Sequence, residues 1–366
     1  MKLKITIALC HFLSYLLIPI FACRKQKRKV LHISYLVHIA HFTVKILREY
    51  GTAADYLAID GGDDERSDFS FRKSYGQISA KERWREFIFF WKVVAKYDII
   101  HSHFMMTLSQ TGWEINFFKR MGKKWVVHGR GCSERDQTSN NNLNLRYNIC
   151  TTCDYNGRIC KDPVNVARRS LTKIHADHKF VTTPDMLDFM SGGEHIPFFC
   201  PPGPLPAPAA PKAGIFKIVH VTNHPGIEGT AMIERALERL IAKGYRIEFV
   251  YLSKCKHEEV LRHYADAHLS IGKMKMGYYA NAQIESLFYG VPAITYVRDE
   301  FITEELRNSG LIISNLGDLE RDLQYYLDHP AALAEKRRIA QSSILKLHNN
   351  EKIARRYEMV YQSLFK

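Results

Sequence analysis

The chain has 366 residues, 46% of them apolar and 25% charged, with a formal net charge of +14. That length suits about two domains, and the balance excludes a mainly disordered chain. No solenoid or propeller repeat is present. The eight cysteines are too sparse for a small disulfide scaffold, so a reducing, cytosolic setting fits.

The positive charge is concentrated at the N-terminus. Residues 1–29 hold Lys2, Lys4, Arg24, Lys25, Lys27, Arg28 and Lys29 with no Asp or Glu. The remainder carries the mild excess of a mixed surface, and no nucleic-acid partner is expected. Residues 5–23, ITIALCHFLSYLLIPIFAC, hold no formal charge, close to the ~20 residues that span a bilayer as a helix. The RKQKRK that follows resists translocation and attracts anionic headgroups. Without a small-residue cleavage site, a cleaved signal peptide is disfavoured. Segment 1–29 therefore predicts membrane insertion or interfacial docking at the cytoplasmic face; the other reading is a buried strand or helix of an extension.

From residue 30 the pattern alternates between strand and helix. VLHISYLV (30–37) reads as a strand, followed by a helix ending at Gly51. AADYLAID (53–60) is a second strand, and the acidic stretch 61–79 reads as a surface loop. Residues 80–96 have helical spacing, with Trp84, Phe87, Ile88 and Trp91 on one face. YDIIHSHF (97–104), KKWVVHGRG (123–131) and KFVTTP (179–184) are short apolar strands ending in polar clusters. Six prolines within 200–211 exclude regular structure there and mark a domain boundary. Strands at 216–223, 245–253, 267–272 and 291–297 then alternate with helices at 229–243, 256–266 and 282–290. This is an α/β reading with two doubly wound parallel sheets, whose cleft is the natural ligand site.

Several segments resemble one family. HVTNHPGIEGTAMIERALERL is similar to the donor-diphosphate segment of retaining GT-B glycosyltransferases (glycosyltransferase family 4, glycosyl transferases group 1). GYYANAQIESLFYGVPAITYV resembles their donor-ribose motif, and DIIHSHF and VVHGRG their N-domain strand ends. HPAALAEKRRIAQSSILKLHNNEKIARRYEMVYQSLF resembles their closing helices. The resemblance, over about residues 30–366, implies a GT-B fold. It divides the chain into the hydrophobic segment 1–29, an acceptor domain at 30–199, a linker at 200–213, a donor domain at 214–345 and a C-terminal helix at 346–366 that returns to the first domain.

The resemblance also implies roles. Glu285 accepts hydrogen bonds from a donor ribose; the structural alternative is a helix-N-terminal Glu favoured by the dipole. His128 contacts the donor sugar, followed by Gly129-Arg130-Gly131, whose glycines permit close approach. Gly277 and Tyr279 belong to a phosphate-cradling turn, and Thr222, Asn223 and Gly229 to the diphosphate loop. Arg130 and His103 are acceptor or cleft candidates; His101, on the same strand face as His103, is as readily structural. Glu228 stands where the family places a Lys, and Gly277 where it places a carboxylate eight residues before Glu285. Lys273, Lys275 or His224 would then supply positive charge.

The expected activity is metal-independent, retaining transfer of a sugar from a nucleotide-sugar to a cell-surface glycan or lipid-linked precursor in polysaccharide biosynthesis. No cofactor is expected, and no D-x-D sequence offers a metal bridge. The alternatives are a nucleotide-sugar 2-epimerase and a non-catalytic sugar-binding or scaffold homologue. Cys132, Cys150, Cys153 and Cys160 contain a C-x2-C pair; a structural metal and free or redox-active thiols both remain open for them.

Overall fold

The computed structural model describes residues 2–23, 27–35, 37–60, 66–72 and 78–366, except the side chains of Val37 and His38. Arg24, Lys25 and Gln26 of the basic cluster, Leu36 of the first expected strand, and 61–65 and 73–77 of the acidic connection lie outside the described residues.

Two parallel sheets carry the fold. The first has strands β1 (Val30–Ser34), β2 (Ala54–Ile59), β3 (Phe69–Phe71), β4 (Ile99–His103), β5 (Lys124–Gly129), β6 (His178–Val181) and β7 (Glu194–His195). Their spatial order is β3-β2-β1-β4-β5-β6-β7. The second has β8 (Phe216–Val221), β9 (Ile247–Leu252), β10 (Leu269–Ile271), β11 (Ala293–Thr295) and β12 (Leu311–Ile313), ordered β12-β11-β10-β8-β9. Every strand pair is parallel. Helices cover both faces, which is why β1 and β4 are buried at every position, their polar residues His32, Ser34, His101, Ser102 and His103 included. The chain has the two-domain α/β architecture of the GT-B fold, with one apolar N-terminal helix.

Three local readings change. The first strand stops at Ser34 because the helix Val37–Glu49 begins there. The acidic loop contains β3, an edge strand paired with β2 through Leu57, Ala58 and Ile59. In the helix Ala80–Lys92, capped by a reciprocal Ser79–Glu82 box, Trp84 and Ile88 are 37% and 44% exposed while Arg83 and Glu86 are buried. The inward face is rotated by one residue because an ion pair occupies it. Arg83 bonds Glu86 at 3.2 Å and lies over the Trp113 ring. The Trp113 indole donates to Glu86.

The N-terminal helix Lys2–Ala22 is long and apolar enough to cross a membrane. It lies against helix Ala80–Lys92 and helix Trp113–Arg120. Cys10 and Ser14 are buried, the Trp91 indole donates to the Ser14 hydroxyl at 3.3 Å, and Leu13, Leu17, Ile18 and Phe21 join the first-domain core. Ile5, Leu9, Phe12, Leu16 and Ile20, at three- and four-residue spacing, form an outward apolar stripe 45–63% exposed.

The chain leaves the first domain near Phe198–Cys200 and re-enters it near His348–Asn350. These passages are bonded to each other. His348 Nδ1 lies 2.7 Å from the Phe198 carbonyl, and Asn350 exchanges hydrogen bonds with the Cys200 backbone. The last helix, Asn350–Ser363, then packs on the first sheet through Ile353, Ala354, Tyr357, Val360 and Tyr361.

Candidate functional site

Strand register assembles a four-histidine cluster. Parallel pairing sets His32 beside His101 and His103 beside His128. The two-residue period of a strand turns His101 and His103 to one face. All four are completely buried. His32 Nδ1 lies 3.0 Å from His103 Nε2, and His101 Nε2 3.4 Å from His128 Nδ1. The last helix covers them: the Tyr361 hydroxyl is 2.7 Å from His101 Nδ1, and that of Tyr357 is 3.3 Å from His128 Nδ1. Burial, then the nearby Arg130 charge, holds His103 and His128 well below the usual imidazole range, so both are neutral.

One ligand atom from each of His32, His101 and His103 falls within 4.8 Å of the others. Arg130 opposes a cation there. Its Nε donates to His103 Nδ1 at 2.9 Å, placing a fixed positive charge against the cluster.

Arg130 connects this buried layer to the cleft. Burial lowers it to about 10, still charged at neutral pH. Among the described residues it makes no ion pair. It lies in the wall of two cavities. The larger, 770 Å³, opens where the loops after β5, β8 and β10 meet, and Arg130, Arg135, Arg158, His224, Glu228 and Lys273 line it. The smaller, 240 Å³, lies under the proline-rich stretch and contains Glu285 and His257. Adjacent strands β8 and β10 diverge in connectivity at the larger cavity, a topological switch point.

The sequence-predicted residues separate into groups. Glu285 is partly exposed, 3.1 Å from His257 Nε2. Lys273 Nζ bonds Glu228 Oε1 at 2.7 Å, so the acidic departure carries its own counterion. Lys275 donates to Thr152, and His224 Nε2 lies 2.9 Å from the Tyr155 hydroxyl. The Thr222 hydroxyl accepts from the His224 backbone, and the Asn223 carboxamide from that of Lys254. Gly229 has φ +90° and joins the turn Pro225–Glu228 to helix Thr230–Ala242, a left-handed position suited to glycine.

Other predicted residues are enclosed. His128 reaches neither cavity lining; its Nε2 is buried without a hydrogen-bond partner among the described residues. Gly129 leaves room for Met190, whose sulfur would meet a Cβ at 2.1 Å. Gly277, at φ +89°, lies under Arg298, which crosses to Asp188 of the first domain at 2.6 Å. Tyr279 is buried in the second-domain core, 3.0 Å from His348 Nε2.

Contacts that sequence reasoning missed join the domains at the cleft. The Asp154 carboxylate accepts from the Gly226 and Ile227 backbone N–H groups at 2.9 and 3.0 Å. The Thr152 hydroxyl donates to the Gly226 carbonyl at 2.6 Å. Tyr147 reaches Asn315. The one signal was the polar, cysteine-bearing stretch after β5.

No protein-family model matches the chain and no curated protein matches it. Solved structures do match. Anabaena HepE in complex with UDP aligns with TM-score 0.59 and 12% identity, over 92% of this chain and 100% of that one. The catalytic domain of starch synthase IV from Arabidopsis thaliana, bound to ADP and acarbose, aligns with TM-score 0.56 and 11% identity, over 92% and 99%. A UDP-N-acetylglucosamine 2-epimerase assignment from Listeria monocytogenes aligns with TM-score 0.51 and 15% identity, over 93% and 97%. At these identities the likeness is one of fold.

Proposed function

We propose that the chain is a retaining glycosyltransferase of the GT-B type, similar to family 4. It moves a sugar from a nucleotide-sugar donor to a glycan or lipid-linked acceptor at the cytoplasmic face of a membrane. The observation that carries this reading is the 770 Å³ cleft at the β8–β10 switch point, with the charged Arg130 of the first domain in its wall. Fold neighbours of this architecture hold UDP or ADP, and a diphosphate needs such a cation.

In this reading Glu285, in the smaller cavity that shares Arg130 with the cleft, holds the ribose, the loop 222–229 faces the diphosphate, Gly277 shapes the turn beneath Arg298, and Arg130 stabilises charge on the departing phosphate. The donor phosphate takes the acceptor proton on the same sugar face, which gives retention without a metal. His128 lies behind Arg130 and acts by holding it in place. His103 does the same through its 2.9 Å bond.

The membrane part of the proposal rests on the outward stripe Ile5, Leu9, Phe12, Leu16 and Ile20 and on the basic residues 24–29. A helix with one face docked and the other apolar suits the interface plane.

A second reading, a sugar-binding protein without turnover, is favoured by the Glu228–Lys273 pair, which neutralises a lysine beside the diphosphate loop.

The test is a thermal-shift panel of UDP-, GDP-, ADP- and CMP-sugars, followed by transfer to lipid-linked acceptors in vesicles. One donor should raise the melting temperature and yield a product with unchanged anomeric configuration. An epimer formed without acceptor would support 2-epimerase activity, and binding without product the second reading.

A further inference from the structure

The hydrogen bonds of the histidine cluster run in one direction, and Arg130 sets it. A guanidinium donates and never accepts, so His103 Nδ1, 2.9 Å from Arg130 Nε, is bare. A neutral imidazole carries one ring proton, and that of His103 therefore sits on Nε2. This N–H donates to His32 Nδ1 at 3.0 Å, which leaves the His32 proton on Nε2. His32 Nε2–H in turn donates to the Tyr361 oxygen at 3.4 Å. The Tyr361 hydroxyl directs its own proton at His101 Nδ1, 2.7 Å away. His101 is left with Nε2–H, which donates to His128 Nδ1 at 3.4 Å.

The chain closes where it began. Arg130 Nη2 lies 3.4 Å from the same His128 Nδ1, and it too needs that nitrogen bare. Tracing from either end of the guanidinium gives the same tautomer on all four rings. Reversing any link would set two N–H groups or two lone pairs against each other. The rings are completely buried, so water does not relieve such a clash. Burial and the Arg130 charge keep each ring neutral, His32 down to about 3 and the others well below their usual range.

The hinge of this chain is Tyr361. Its hydroxyl accepts from one ring and donates to the next, and the guanidinium lies two rings away on either side. We propose that Tyr361 is a positioning residue for Arg130, fixing through His32 and His101 the bare Nδ1 atoms of His103 and His128 that hold the guanidinium. Its bearing on transfer rests on Arg130 being the cation of the cleft; the order of the hydrogen bonds does not. Lone pairs of neutral rings orient a guanidinium without cancelling its charge, as a carboxylate would. Of its five N–H donors the rings take two, and three remain for an anion.

The full chain, labelled with nitrogen-15 in histidine and arginine, tests the order without any variant. Couplings across two N–H···N bonds should appear, with the proton on His103 Nε2 facing His32 and on His101 Nε2 facing His128. Tyr361→Phe should shift the His101 Nδ1 resonance toward that of an unbonded lone pair. It should also speed solvent exchange of the Arg130 Nε–H at least several-fold. Tyr357→Phe is the control, because that side chain is on the same helix and as buried. Its hydroxyl meets His128 Nδ1 from the side at 3.3 Å and links no two rings, so Arg130 exchange should stay near wild type. His32→Leu opens the same chain beside Tyr361 and should repeat the faster exchange, which serves if the Tyr361 variant misfolds. Inorganic pyrophosphate should bind the Tyr361 variant several-fold more weakly than the Tyr357 variant.

Missing couplings, or a proton on His32 Nδ1, overturn the proposal. So does equal Arg130 exchange in the two tyrosine variants, which is what lost packing alone would give. A metal ion bound at one per chain by His32, His101 and His103 overturns it too, since it would take the lone pairs the chain uses. A wild-type chain that shows the couplings and the exchange difference but binds no pyrophosphate supports the chain and counts against the transferase reading alone.

Discussion

The Tyr361 hydroxyl meets His101 Nδ1 at 2.7 Å across 260 residues of sequence, deep under the first sheet. The same hydroxyl lies 3.4 Å from His32 Nε2. One phenol therefore serves two completely buried imidazoles. Tyr361→Phe keeps the ring and removes that partner. An unsatisfied buried polar group costs about 1–3 kcal/mol, so the urea midpoint should fall with an unchanged slope. An unchanged midpoint would mean that the imidazoles find other partners.

Acid should unfold this protein steeply. Burial lowers His32 to about 3 and His348 to about 4, and holds His101, His103 and His128 well below their usual range. An unfolded histidine titrates near 6.5. Between those limits the unfolded chain binds more protons than the folded one, so stability rises with pH there. It is complete above about pH 6.5 and is lost as pH falls toward the folded values, by up to about 1.4 kcal/mol per unit for each histidine. Urea melts at pH 7.5, 6.5 and 5.5 should show a loss in the second interval about threefold that in the first.

The Glu228–Lys273 pair yields a double-mutant test. Both side chains are largely withdrawn from solvent, and removing one member of a buried pair costs about 3–5 kcal/mol because a charge is stranded. Lys273→Met should therefore destabilise strongly, while Glu228→Gln with Lys273→Met should recover most of the loss. If the second change recovers nothing, the pair is not coupled. Glu228→Gln alone should free the lysine and tighten binding of a nucleoside diphosphate, most clearly at low salt.

Glu285→Gln should weaken donor binding on the order of 10–100-fold, the effect of losing a hydrogen bond to a charged group worth about 1.5–3 kcal/mol. The unfolding midpoint should hold, because its partner His257 is exposed. Titration calorimetry with the donor found in the panel would decide it, and unchanged affinity would remove Glu285 from the site.

At the N-terminus, Phe12→Glu with Leu16→Glu changes only the outward stripe. Vesicle flotation should fall sharply while the melting temperature stays put. Deleting residues 1–29 is a different experiment. It strips cover from Trp91 and Trp113, which pack against the helix, so the truncated chain should bind hydrophobic dye and tend to aggregate. Undiminished flotation of the double variant would refute the interfacial placement.

Much of the architecture was legible because parallel strands buried on both faces read as short apolar runs, and because six prolines interrupt them at 200–211. Local pattern failed where a distant partner decided the outcome. Helical spacing put Trp84 and Ile88 on one face with Phe87 and Trp91, yet it is Arg83 and Glu86 that are buried, in a niche beside Trp113. The two-residue period showed that His101 and His103 share a face. Only the strand register adds His32 and His128, and only the return of the last helix supplies Tyr357 and Tyr361. Tyr279 shares its segment with Gly277, but its hydroxyl turns inward to His348, which no spacing within 277–290 reveals. The glycine at 129 suggested ligand approach, and its neighbour proves to be Met190.

The paired passages at 198–200 and 348–350 make the second domain an insert within the first. During synthesis this reverses the usual order, in which an N-terminal domain finishes before the next emerges. Strands β1 to β7 leave the ribosome early, but the phenols that seal their histidines are made last. The earlier-born domain must wait, with its imidazoles uncapped, until the whole second domain has been translated. A chain released after residue 349 should therefore have a second domain that resists protease while its first is still cut.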